Sequence, residues 1–156
     1  MNMLARAAGY QNVQHMRSNH AASRRLSRAA DERPADARAV ERTLHQFDAA
    51  GRLRQWPSKR AVQTLALWAL WATLPAGKTM REREINVRLS DEHLFNDPAT
   101  LRRTMISCGL LSRRADGSDY HRIEQKPPSE AKVLITVLGP RRRSRAKTGQ
   151  QEATNA

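Results

Sequence analysis

A chain of 156 residues has room for one modest core, or for one small domain with appendages, and little room for two full domains. Its net charge of +13 and isoelectric point near 11.4 favour polyanionic partners, nucleic acid ahead of an anionic membrane. A single cysteine, Cys108, excludes an internal disulfide framework and suits a reducing compartment, so the expected location is the cytoplasm.

The charge excess sits mostly at the ends. Residues 1–30 carry five arginines and no acid, and residues 139–156 carry five basic residues against one acid. The first stretch has no uninterrupted apolar segment between Arg6 and Arg17, so no secretory signal is expected, although an acid-free, arginine-bearing start also has the composition of an organellar presequence. Met3 to Ala8 and Asn12 to about Arg28 read as two helices around Gly9-Tyr10, a helical hairpin over 1–28 with Leu4, Ala7, Ala8, Val13 and Met16 inside. Arg24, Arg25 and Arg28 on it are equally readable as solvated charges and as nucleic-acid contacts. Residues 29–35, AADERPA, form a charged linker with a proline and no periodicity.

Asp36 then caps a helix whose stripe Ala37, Val40, Leu44 and Phe47 stops before Gly51. Packing on the core and a homodimer seam are both open to that stripe. Arg52 to Trp56 reads as an extended lead-in. The run from Ala61 to Ala76, opened by Pro57-Ser58 and closed by Pro75-Ala76-Gly77, is apolar on most of its circumference but falls short of the roughly 20 residues of a membrane span. A central buried helix is expected, and no membrane partner. Lys78 to Met80 suits a short strand, and Glu82 to Leu89 a helix with Ile85 and Leu89 inward.

Asp97 caps the next helix and Pro98 takes its first position, where the missing N–H costs nothing. Steps of 100° place Pro98, Leu101, Met105 and Cys108 on one side and Thr100, Arg103, Thr104 and Ser107 on the other, with Arg102 and Ile106 at a flank. Gly109 suits a helix stop, and Leu110 to Arg114 with Ser118 to Ile123 flank Asp116-Gly117, a hairpin-turn dipeptide. Pro127-Pro128 closes the hairpin. Ser129 then caps a short last helix with Ala131, Leu134 and Leu138, although Val133, Ile135 and Val137 would also suit a strand. From Gly139 to Ala156 no apolar residues remain for a core, and the basic tail is expected to be disordered.

Helix, short strand, helix, helix, basic hairpin is the order of a winged helix. The expected class is mainly α with a small β-hairpin, an α+β winged helix-turn-helix domain over 36–138 with flanking helices. Its third helix, about 97–108, would read duplex DNA through Thr100, Arg102, Arg103, Thr104 and Ser107. Phosphate contacts are expected from Arg113, Arg114 and Arg122 of the wing and from Arg141, Arg142 and Arg143 of the tail, while Tyr120 either stacks on the nucleic acid or closes the wing onto the core. A winged helix used as a protein-interaction module, with only nonspecific nucleic-acid affinity, is the alternative.

The segment WPSKRAVQTLALWALWATLPAGKTMREREIN followed by DPATLRRTMISCGLLSRRADGSDYHRIE resembles a bacterial family, domain of unknown function 2087. The residues carrying the likeness are Glu84, Asn86, Asp97, Thr100, Leu101, Arg102, Arg103, Gly109, Leu110, Asp116, Gly117, Tyr120 and Arg122. The resemblance implies a winged-helix-like fold and a link to transcription, since the family is also found fused to transcription regulators. It implies no catalytic residues.

Enzymatic readings find little support. His15 and His20 do not share a helical face, and no HExxH, CxxC, GxSxG or glycine-rich phosphate loop is present, so no enzyme, metal or cofactor is expected. Cys108 is expected to be a small buried hydrophobe, and Asp91-Glu92-His93 a solvated loop. With aromatic residues at 4% and all three tryptophans reading as core, single-strand recognition is disfavoured.

Overall fold

The structure, a computed structural model, describes residues 34–155. The hairpin expected over 1–28 and most of the linker expected over 29–35 lie outside the described residues. Within them the order is α1 (Ala37–Leu44), α2 (Arg60–Trp71), β1 (Thr79–Arg81), α3 (Glu82–Ser90), α4 (Pro98–Ser107), β2 (Leu111–Arg113), β3 (Asp119–Arg122) and α5 (Ser129–Asn155). This is the mixed α+β class expected.

Local signals account for most boundaries. The Asp36 carboxylate accepts from the N–H groups of Arg38 and Ala39 at 3.0 and 3.3 Å, satisfying two donors that the first turn of α1 leaves open. The Asp97 carboxylate accepts from the Thr100 N–H at the start of α4, with Pro98 just inside the start. Gly109, at φ +77°, follows the last turn of α4 in the left-handed conformation, which costs a residue without Cβ nothing.

Central α2 is covered nearly all round. Every residue from Ala66 to Trp71 is buried, and α1, α4 and α5 all pack against this helix. Leu67 and Leu70 are fully enclosed, each contributing about 1.5–3 kcal/mol relative to exposure. Trp68 and Trp71 meet edge to face, 5.2 Å between ring centroids.

The three strands form an antiparallel sheet in the order β1-β3-β2. Tyr120, on the middle strand, pairs with Met80 on one side and Arg113 on the other, and its ring is buried. The turn is longer than Asp116-Gly117 alone: Arg114 N–H bonds the Asp119 carbonyl, enclosing a four-residue loop in which the Asp116 carboxylate accepts from the N–H and hydroxyl of Ser118.

Four expectations are corrected. The α1 stripe is core packing: Val40 and Phe47 are buried, Leu44 packs half-buried on the core, and Ala37 is exposed, so the stripe is not left over for a dimer seam. Cys108 is the C-terminal cap of α4 and is exposed, since the chain turns away at Gly109 with nothing among the described residues packed over that end. Glu92 and His93 are buried, since Leu53 on the extended lead-in bonds both the Glu92 carbonyl and the Leu94 N–H at 2.9 Å and draws their loop inward. Finally, the tail is no disordered segment: α5 runs through Gly139 and Pro140 to Asn155. Pro140 removes one helical hydrogen bond, an ordinary reason to stop. What carries the helix onward are arginines that its face lays on the loop after α1: Arg141 bonds the Asp48 carbonyl, Arg142 that of Gly51 and Arg145 that of Ala50.

Candidate nucleic-acid interface

The start of α4 is held at three points. The Asp97 carboxylate accepts from the Thr100 hydroxyl at 2.6 Å and from its N–H at 3.2 Å. These two bonds, the hydroxyl first, hold the Asp97 carboxyl below the usual aspartate value, and the charge of Arg103 adds a smaller contribution in the same direction. Asp97 also donates its own N–H to Nε2 of His93 at 2.8 Å, while Nδ1 of that ring lies 2.6 Å from the Leu89 carbonyl. A carbonyl can only accept and an N–H can only donate, so in this geometry the ring is the neutral tautomer protonated at Nδ1. His93 thereby ties the last turn of α3 to the first of α4.

The outward edge of α4 carries Arg103, Thr104 and Ser107, with Thr100 half-buried beside the cap. Thr104 and Ser107 donate their hydroxyl protons back to the carbonyls of Thr100 and Arg103, at 2.7 and 3.1 Å, leaving oxygen lone pairs outward. Arg103 is exposed and has no ion pair among the described residues. On the hairpin, Arg113 and Arg114 are exposed, Arg114 reaching Asp119 only at 3.7 Å. Arg143 on α5 is exposed.

Five expected contact residues have partners within the fold. Arg102 is buried: it pairs with Glu82 at 2.8 Å, hydrogen-bonds the Asn86 side chain and lies 5.8 Å from the Tyr120 ring centroid. Its position one step round from Leu101 brings it inward, where carboxylate, amide and ring together receive the guanidinium. Tyr120 closes the sheet onto the core, the second of its two expected roles. Arg122 stacks 4.0 Å from the Trp71 ring, donates to the carbonyls of Trp71 and Leu74 at the end of α2, and pairs with Glu124 at 2.6 Å. Arg141 and Arg142 are turned to the loop after α1.

Residues 52–122 match the family model for domain of unknown function 2087, described as an uncharacterized protein conserved in bacteria. No curated protein and no solved structure matches the chain. The family segment begins in the lead-in to α2 and ends with β3, leaving α1 and α5 outside it.

Much of the residue set that carries the resemblance is spent on holding the segment together. Asn86 is partnered by Arg102, Asp97 by Thr100 and Asp116 by Ser118, while Glu84 accepts from Lys78 at 2.7 Å and Arg88 at 3.0 Å. Those two bonds, Lys78 first, hold the Glu84 carboxyl below its ordinary value. Of the three arginines in that set, Arg103 is the exposed one.

Sequence reasoning also missed a largely buried charge cluster. Glu92 meets Arg145 at 2.7 Å and Arg142 at 3.7 Å, with all three side chains largely buried. Burial pulls the Arg142 guanidinium below its ordinary pKa, against the opposing pull of Glu92. The available signal was the pairing of an acid-rich loop, Asp91-Glu92, with arginines at helical spacing in the tail. Among the described residues no helix is long and apolar enough to cross a membrane, and no group of three or more His, Cys, Asp or Glu could hold a metal ion.

Proposed function

We propose that this is a DNA-binding protein of winged-helix type, reading duplex DNA with the outer edge of α4 and bracing phosphates with the β2-β3 hairpin. The element order and the three-stranded sheet with β3 in the middle support that reading. The observation that carries it is the sorting of the two adjacent arginines: Arg102 is used inside, while Arg103 stands exposed among Thr100, Thr104 and Ser107. A cation flanked by short hydroxyl side chains on an accessible helix face can reach both phosphates and base edges. The revised contact set is Thr100, Arg103, Thr104, Ser107, Arg113, Arg114 and Arg143. Duplex DNA is the partner, transcription regulation in the cytoplasm the role, and neither catalysis nor a cofactor enters.

One observation favours a second reading, a protein-interaction module: Arg102, Arg122, Arg141 and Arg142 are engaged internally, which thins the basic surface on which DNA affinity depends. Selection of preferred sites from random duplexes by the whole protein separates the two. A sequence preference, with affinity falling steeply as salt rises, is expected of the DNA reader. Recovery of no preferred sequence would favour the interaction module.

A further inference from the structure

A second basic feature lies away from α4, where the loop after α1 faces α5. A cavity of about 420 Å³ opens there, with Arg52 on one wall and Arg141, Ser144, Arg145 and Thr148 on the other. The α5 residues follow the i, i+3, i+4, i+7 spacing of one helical face, so the helix presents two guanidiniums and the Ser144 hydroxyl to the same space, while the Thr148 hydroxyl donates to the Ser144 carbonyl at 3.0 Å. Ala49 and Ala50 keep the loop wall low.

The three arginines are positioned mainly by neutral acceptors. Arg52 Nε donates to the Asp91 carbonyl at 3.1 Å, Arg141 to that of Asp48 at 3.2 Å, and Arg145 to that of Ala50 at 3.2 Å. No carboxylate lines the cavity. Glu92 takes one Nη of Arg145, and the Asp48 carboxylate is engaged by the N–H groups of Ala50 and Arg52. Carbonyls fix the direction of a guanidinium without cancelling its charge, and each fork keeps N–H groups beyond those bonds. A concave site lined by one sign of charge focuses its field inward, and arginine forks match the oxygens of a phosphate. The volume falls in the range of small-molecule sites.

We propose that this cavity is a phosphate-binding site that takes a small phosphate ester. The phosphate is held among Arg52, Arg141 and Arg145, with the Ser144 hydroxyl at its edge and the rest of the space left for the ester's body. The proposal does not depend on the DNA reading, because the ligand can be titrated with no duplex present.

Adenosine 5′-monophosphate and inorganic phosphate, titrated calorimetrically into the full-length protein, provide the test. Saturable one-to-one binding of the ester is expected. Ser144→Asp sets a carboxylate at the cavity wall on an exposed helical position and should abolish it, while Arg141→Gln should weaken it about tenfold. No saturable binding of either probe by the parent overturns the proposal. So does undiminished affinity in Ser144→Asp or Arg141→Gln protein, each checked by thermal melting against the parent. Because a DNA backbone offers the same phosphate group, a duplex is added last. If it leaves the ester bound, the free-ester assignment stands; if it displaces the ester from this cavity, that assignment is overturned in favour of backbone phosphate.

Discussion

Removing Gly139 onward should destabilise the domain, although a solvated basic tail would be dispensable. The Glu92 side chain is 11% exposed, and its partners Arg142 and Arg145 are 13% and 21% exposed. Truncation after Leu138 removes both partners and leaves a carboxylate in a largely dry position. Breaking a buried ion pair from one side costs about 3–5 kcal/mol. Water entering the groove vacated by α5 offsets part of this, so about 2–4 kcal/mol is expected, roughly a 10 °C fall in melting temperature for a domain of this size. Circular dichroism melts of parent, truncated, Glu92→Gln and doubly altered proteins measure it. The two changes should couple by roughly 1–3 kcal/mol, because the amide no longer requires a cationic partner. Coincident melts of parent and truncated protein, or strict additivity, would refute the clamp.

Gly51→Ala should cost about 1–3 kcal/mol in chemical denaturation, because φ is +82° there and an added Cβ would lie 2.8 Å from Cγ of Arg142. Arg102→Met should lower the melting temperature while leaving duplex affinity at low temperature unchanged, as its bonds to Glu82 and Asn86 run inside the fold; a selective loss of binding would count against that assignment. Leu44→Glu should unfold the domain without a prior change of mass in light scattering, since Leu44 packs on its own core. The pKa of Asp97 is depressed in the fold, so its contribution is present above the unfolded value of about 3.9 and disappears as pH falls through the folded value. Asp97→Asn should therefore lower stability at neutral pH, and the difference from the parent should vanish in acid.

What could be read from the chain alone were features whose cause is local. Asp36 and Asp97 caps, the all-round apolar α2, and the glycine after α4 each depend on residues within a turn or two. The inward turn of Arg102 was not legible, because a position at the flank of a helix is decided by what waits there, and Glu82 and Asn86 come from α3 and Tyr120 from β3. Arg122 went the same way, toward a tryptophan 51 residues earlier. The longest misreading was α5, where Gly139-Pro140 are correct local stop signals overridden by contacts to residues some 90 positions upstream. Charge was legible as an amount and not as a location.

The central claim is that the exposed edge of α4 reads DNA. On a duplex selected by the parent protein, the affinity of Arg103→Ala tests it most directly, with thermal melting as the check on folding. A loss of about 1–3 kcal/mol is expected, larger on the selected site than on an unrelated duplex, with the melt unchanged. Equal affinity of parent and Arg103→Ala for the selected site would contradict it.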